Sequence, residues 1–240
     1  MLAQLLFVQI LRAHLAAARR LPAGWLRAVS VLVNHGDGTF AERAVTATGA
    51  TPIALTAAEF NGDGYPDVAV VESRAGTVSV LPGVGDGTFG PRQSQSIGVS
   101  PKAPVAADFD QDGRSDLAVA RAPRYLAPGV IAMLHGDGKD WSSKPMDTTL
   151  GTHGAPYGLV AADLDGDGTP DLAVAGGSAL QAAATLLNDG EGHFSVSTVY
   201  ENAAGGVAVA VGDVDGDGVP DLVIADHGVA TVNVILGRCR

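Results

Sequence analysis

A single cysteine, Cys239, occurs in 240 residues, which excludes an intrachain disulfide. A lone thiol with no partner at ligand spacing points to neither a metal nor a redox role. Basic residues are scarce. Fifteen Lys and Arg stand against 26 Asp and Glu, giving a net charge of −11 that sets the chain against a phosphate backbone as partner. No apolar run reaches the roughly 18 residues needed to cross a bilayer. Asn-x-Ser/Thr, G-x-S-x-G, Walker and H-E-x-x-H motifs are all missing. Charged residues make up only 17% and hydrophobic ones 46%, a balance that excludes a disordered chain and leaves an ordinary globular one.

Glycine is abundant, with 32 residues at recurring offsets, and this argues for many turns. Two patterns alternate. The first reads DLDGDGTPDLAVA from Asp163, DVDGDGVPDLVIA from Asp213, DFDQDGRSDLAVA from Asp108 and EFNGDGYPDVAVV from Glu59. The second is a strand ending in a tight turn and an aromatic: VSVLVNHGDGTF, VSVLPGVGDGTF, IAMLHGDGKDW and TLLNDGEGHF, with a further start at TVNVILG (231–237). Each period, about fifty residues, reads as four short strands, and four-stranded units at this spacing predict the blades of an all-β propeller. Full blades are expected at 50–98, 103–150 and 156–200. Residues 28–48 supply strands three and four of another blade, and 205–237 supply strands one to three. About four blades are therefore visible if the two ends pair. If they do not, the chain is a section of a larger propeller. Both readings stay open at this point.

Residues 1–27 form a separate N-terminal segment ahead of the repeats at 28–240. The apolar run MLAQLLFVQIL precedes Arg12, Arg19 and Arg20, the reverse of the order in a secretory signal. Leu2, Leu5, Leu6 and Ile10 share one face of a short helix if the segment is helical.

The acidic loops carry the chemistry. Counted within the loop, side-chain oxygens fall at positions 1, 3, 5 and 9: Asp163, Asp165, Asp167 and Asp171; Asp213, Asp215, Asp217 and Asp221; Asp108, Asp110, Asp112 and Asp116; and Glu59, Asn61, Asp63 and Asp67. A glycine at position 6, such as Gly168, permits a sharp turn. The position-7 carbonyls of Thr169, Val219, Arg114 and Tyr65 can join the ring. Ca²⁺ takes six to eight oxygens in flexible geometry, whereas Mg²⁺ keeps its waters, so calcium is the expected ion, roughly three to four per chain. An EF-hand would need Glu at position 12, where Val70, Val119, Val174 and Ile224 stand. Metal-free Asx turns are the bland alternative. Four copies in register, each converging several carboxylates, weigh against it. The longer Glu59 and the neutral Asn61 make the first loop the weakest.

The D-x-D-G-D-G-x-P-D loops, the D-L-A-V-A strands behind them and the G-D-G-T-F turns resemble FG-GAP/VCBS-type repeats, including the propeller of integrin α-subunits. Arg121-Ala122-Pro123 sits where that family often has Gly-Ala-Pro. The resemblance covers residues 28–237. It implies a calcium-binding propeller, extracellular or at the cell surface, serving adhesion or binding of a protein or glycan; the lack of a long apolar run separately predicts no membrane insertion. The chain departs from that family in having fewer repeats than the typical seven, so additional blades from a longer chain or a second copy are one expectation.

Gly85-Asp86-Gly87-Thr88-Phe89-Gly90 matches G-x-G-x-x-G but joins two strands, so it predicts a hairpin and not a dinucleotide site. His35 and His135 precede equivalent turns and are expected to be turn residues. His153, His193 and His227 have no partner at ligand spacing. Phe40, Phe89, Trp141 and Phe194 recur once per repeat, as inter-blade packing would require. An enzyme is not expected. One alternative, a propeller-type polysaccharide lyase or hydrolase, would need a convergent set of His, Tyr, Arg or Lys that the sequence does not display; the other is a purely structural repeat section of a larger protein.

Overall fold

The computed structural model describes residues 7–9, 28–40, 44–122, 127–138, 144–153, 155–176, 183–200 and 205–238. Among these residues, eighteen strands form five antiparallel sheets, each a meander of sequential strands. Sheet 1 holds β1 (Phe7–Gln9), β2 (Ala28–Leu32) and β3 (Ala44–Ala47). Sheet 2 holds β4 (Pro52–Ala58), β5 (Asp67–Glu72), β6 (Thr77–Leu81) and β7 (Gln93–Ser96). Sheet 3 holds β8 (Pro101–Ala107), β9 (Asp116–Arg121), β10 (Pro128–Leu134) and β11 (Met146–His153). Sheet 4 holds β12 (Pro156–Ala162), β13 (Asp171–Gly176), β14 (Ala183–Asn188) and β15 (Phe194–Tyr200). Sheet 5 holds β16 (Gly206–Gly212), β17 (Asp221–Asp226) and β18 (Thr231–Ile235).

These are propeller blades, and sheets 2 to 4 match the three expected full units. The end pieces form separate sheets, so the single fourth blade made by pairing them is not the arrangement seen. At the N-terminal segment the structure departs from the helical expectation. Phe7–Gln9 is a strand, with Val8 opposite Val31 of β2. Leu2, Leu5, Leu6 and Ile10 lie outside the described residues, as do Pro123, Trp141 and Cys239.

The second strand of each full blade is buried along its whole length in β5 and β13, and in all but Arg121 of β9. Both faces of this strand are covered by adjacent blades, which explains the small, unbroken run D-L-A-V-A in place of strict alternation. The fourth strand β7 alternates half-buried and exposed, as its sequence QSQS requires at an outer edge. Each first strand opens with a register irregularity, between Pro52 and Ala54, Pro101 and Pro104, Pro156 and Gly158, and Gly206 and Ala208. Proline cannot donate to the ladder, so it falls at such breaks.

The core lies between the sheets. Val29 of sheet 1 packs with Val68, Val70 and Leu81 of sheet 2. Val78 and Val80 meet Leu117 and Val119 of sheet 3. Ile131 and Met133 meet Leu172 and Val174 of sheet 4. Among the described residues, sheets 4 and 5 share only Ala175, Ala183 and Ile224 as fully buried members of their cluster. Among the described residues, no helix is long and apolar enough to cross a membrane.

Candidate metal centres

Each acidic loop connects the first and second strands of its blade and closes through a ladder of short side-chain-to-backbone bonds. In the Asp163 copy, Asp163 accepts the amides of Gly166 at 2.7 Å and Gly168 at 3.0 Å, one on each oxygen. Asp165 accepts the amide of Asp167 at 3.3 Å, and Asp167 accepts both the amide and hydroxyl of Thr169, at 2.7 and 2.6 Å. Those two bonds, hydroxyl first, hold the Asp167 carboxyl below its usual range. The Asp213 copy repeats the pattern, with Asp213 accepting from Gly216, Asp217 and Gly218, Asp215 from Asp217, and Asp217 from Val219. Gly168 sits at φ +90°, the left-handed turn that a side chain would strain.

This ladder turns the carboxylates toward one another. Ligand atoms of Asp163, Asp165 and Asp171 lie within 4.8 Å of one another, as do those of Asp213, Asp215 and Asp221, and those of Asp108, Asp110 and Asp112. Asp165 and Asp167 each use one oxygen in these bonds, leaving the second open to a cation. In the Asp108 copy, Asp108 Oδ1 is buried with no hydrogen-bond partner, an orphan that a bound cation would satisfy. The oxygen-only donor sets therefore fit calcium.

The Glu59 copy is built differently. Glu59 Oε1 takes the amides of both Asn61 and Gly62, and Asn61 Nδ2 donates to Asp63 Oδ2 at 3.0 Å. Asp63 Oδ1 accepts from the amide of Tyr65. An internal hydrogen bond thus occupies an oxygen that the other loops leave open. The position-7 residues Tyr65, Arg114, Thr169 and Val219 all enter the ladder through their amides. Arg114 also donates to the backbone oxygen of Asp137 at 2.7 Å, tying its loop to the following turn.

Position 9 carries a second duty that the spacing alone did not disclose. Asp67, Asp116, Asp171 and Asp221 are at most 1% exposed, each opening the second strand. In every copy Oδ2 accepts the amide of loop position 2, from Phe60, Phe109, Leu164 or Val214. Oδ1 accepts an amide just beyond the third strand or at its end, from Gly83, Gly136, Asn188 or Gly237. Burial pushes the Asp67, Asp116 and Asp171 carboxyls upward. Asp221 is shut off from direct solvent contact but lies under thin cover, and the amides of Val214 and Gly237 hold it down.

Two histidines depart from expectation. His135 Nδ1 lies 3.1 Å from Asp110 Oδ2 and 3.7 Å from Asp116 Oδ1, so it leans over the third sheet's loop and is more than a turn residue. His193 does have partners, Asp189 at 3.1 Å and Glu191 at 4.0 Å, in an exposed hairpin cluster. Gly85 to Gly90 forms the expected hairpin, with Asp86 accepting from Thr88 and the amide of Gly90 bonding back to Pro82. Phe194 packs edge-on against Phe109 of the preceding blade, centroids 5.3 Å apart, and Phe89 joins the core between sheets 1 and 2. Phe40 is 45% exposed.

Residues 23–70, 59–119 and 173–224 match the FG-GAP-like repeat family. The crystal structure of BBS1N in complex with ARL6DN, soaked with lead, aligns at a TM-score of 0.50 and 13% identity, over 77% of this chain and 56% of that one. The crystal structure of the V. cholerae biofilm matrix protein Bap1 aligns at 0.48 and 14% identity, over 87% of this chain and 34% of that one. This chain thus spans little more than half of the first and about a third of the second. No curated protein matches it.

Proposed function

This chain belongs to the FG-GAP-like repeat family, and from that premise we propose that it is a calcium-binding β-propeller module working outside the cell in adhesion or in binding a protein or glycan. The observation that carries the reading is the recurrence, in register, of carboxylate loops whose backbone ladders aim several oxygens at one point. A calcium ion would neutralise the mutual repulsion of each cluster and fix the loop between the first two strands. Asp108, Asp110 and Asp112, Asp163 to Asp171 and Asp213 to Asp221 would hold it, with the Glu59 loop filling last.

Extracellular modules half-fill at calcium on the order of 0.1–1 mM. Loops this open, with Asp112, Asp167 and Asp217 exposed, suit that range better than tight intracellular buffering. The family supports a role in adhesion or ligand binding, and the net charge disfavours nucleic acid as that ligand. Further repeats of the same kind, from a longer chain or a second copy, are the natural neighbours of sheet 5.

The test is calcium binding and thermal unfolding of the full chain after EDTA. One ion for each all-Asp loop is expected. So is a rise in melting temperature, since each site adds about 2.7 kcal/mol at a hundredfold excess over its Kd. Asp167→Ala should remove one ion and no more. A folded chain that binds no calcium would refute the proposal.

A further inference from the structure

The third blade differs from its neighbours at one place. The residue before the Oδ1-bonded amide is Pro82 in sheet 2, Leu187 in sheet 4 and Leu236 in sheet 5, but His135 in sheet 3. The substitution places an imidazole nitrogen among carboxylate oxygens. Ligand atoms of Asp110 and Asp116, from one loop, and of His135, from the end of the third strand, lie within 4.8 Å of one another. The site is recessed: Asp116 is fully buried, and the Asp110 and His135 side chains are 26% and 29% exposed. The ring is also held from the next blade. A Cβ on Gly192, which sits at φ +75°, would collide with His135 Cε1.

We propose that Asp110, Asp116 and His135 form a mixed nitrogen–oxygen site for a transition divalent cation of the Zn²⁺ type, distinct in metal preference from the oxygen-only loops. Calcium selects oxygen donors, whereas imidazole favours zinc and its neighbours. Donors about 2.0–2.1 Å from a tetrahedral ion stand about 3.3 Å apart, and the observed 3.1 and 3.7 Å bracket that spacing. The ligands are also oriented from behind. Asp110 Oδ1 accepts the amide of Asp112, and Asp116 accepts the amides of Phe109 and Gly136. A simple His–Asp hydrogen bond would be complete with one carboxylate. Asp116 Oδ1 keeps a lone pair beyond the Gly136 amide it accepts, and the orphaned Asp108 Oδ1 in the same loop adds negative oxygen that a cation offsets. Because Asp110 belongs to both donor sets, this loop holds either calcium or the transition ion. The inference rests on these three residues and not on calcium filling the other loops.

The experiment uses the metal-stripped full chain, loaded with Zn²⁺ or Co²⁺ in calcium of about 1 mM, with both metals counted on the same sample. A single zinc should survive the calcium, and Co²⁺ should give the visible absorption of a tetrahedral nitrogen–oxygen site. His135→Ala should weaken zinc by more than about 100-fold, beyond what loss of an outer partner does, and abolish the cobalt spectrum. His193→Ala should change neither. If His135→Ala fails to fold, His135→Gln keeps a donor toward Asp110 while removing the ring nitrogen, and the same loss is expected. Zinc that persists in the His135 variants, zinc that disappears with His193→Ala, or no zinc at all would overturn the proposal. Zinc retained with no calcium bound would sink the calcium reading alone, and the converse would sink only this one.

Discussion

Asp171 shows how much one carboxylate is asked to do. It opens β13 fully buried, and its two oxygens accept the amides of Leu164 and Asn188, both at 2.9 Å. Asp167, four residues earlier, is exposed and bonds only within its own loop. The two residues should therefore separate metal binding from architecture. Removing Asp171 strands two amides, at about 1–3 kcal/mol each, offset in part because a desolvated charge also disappears. In EDTA, Asp171→Ala should cost about 2–4 kcal/mol by urea denaturation, whereas Asp167→Ala should stay within about 1 kcal/mol and lose its stability only relative to calcium-loaded protein. Equal, small effects in EDTA would mean that the position-9 carboxylate is a ligand and not a latch.

At the scale of the element, the loop is clamped by its second residue. Phe60 packs with Leu117 and Leu134 of the following blade, and Phe109 with Leu172, Leu186 and Phe194 of the next. Phe109→Ala should cost about 3–5 kcal/mol and loosen the Asp108 loop. Val214→Ala, at the same position but 56% exposed, should change stability by no more than about 0.5 kcal/mol. Similar costs at both positions would refute the clamp. The loop spacing, the hairpin turns and the three full blades were legible in sequence because they are local: glycine, aspartate and strand residues recur at fixed offsets. What pairs across blades was not. Asn188 Nδ2 donates to the backbone oxygen of Phe109 in the preceding blade, 79 residues away, and even inside the third blade His135 meets Asp110 across 25 residues only once the strands have paired. No periodicity within a repeat reports such a bond. The β1 strand escaped for a related reason, since an unbroken apolar run fits helix and strand alike until its partner, here β2, is known.

Across the whole molecule, burial depends on whether a blade follows. β6 reads TVSVL and β18 reads TVNVI, nearly the same strand. Val78 and Val80 are 1% and 3% exposed against sheet 3, while Val232 and Val234 are 66% and 47% exposed. The preceding junction is also thin. A cleft of about 590 Å³ between sheets 4 and 5 is lined by Leu187, Tyr200, Leu222, Ile235 and Leu236. Stability should therefore fall along the array toward sheet 5, whose amides should exchange with solvent before those of β5, β9 and β13. Matched substitutions measure the same gradient. Val80→Ala removes buried methyl groups and should cost about 2 kcal/mol, while Val234→Ala should cost less than about 0.5 kcal/mol. If Val234→Ala is as costly as Val80→Ala, and only at high protein concentration, another copy of the chain covers β18 in solution. If it is as costly at every concentration, sheet 5 is covered from within the chain, and the gradient is wrong.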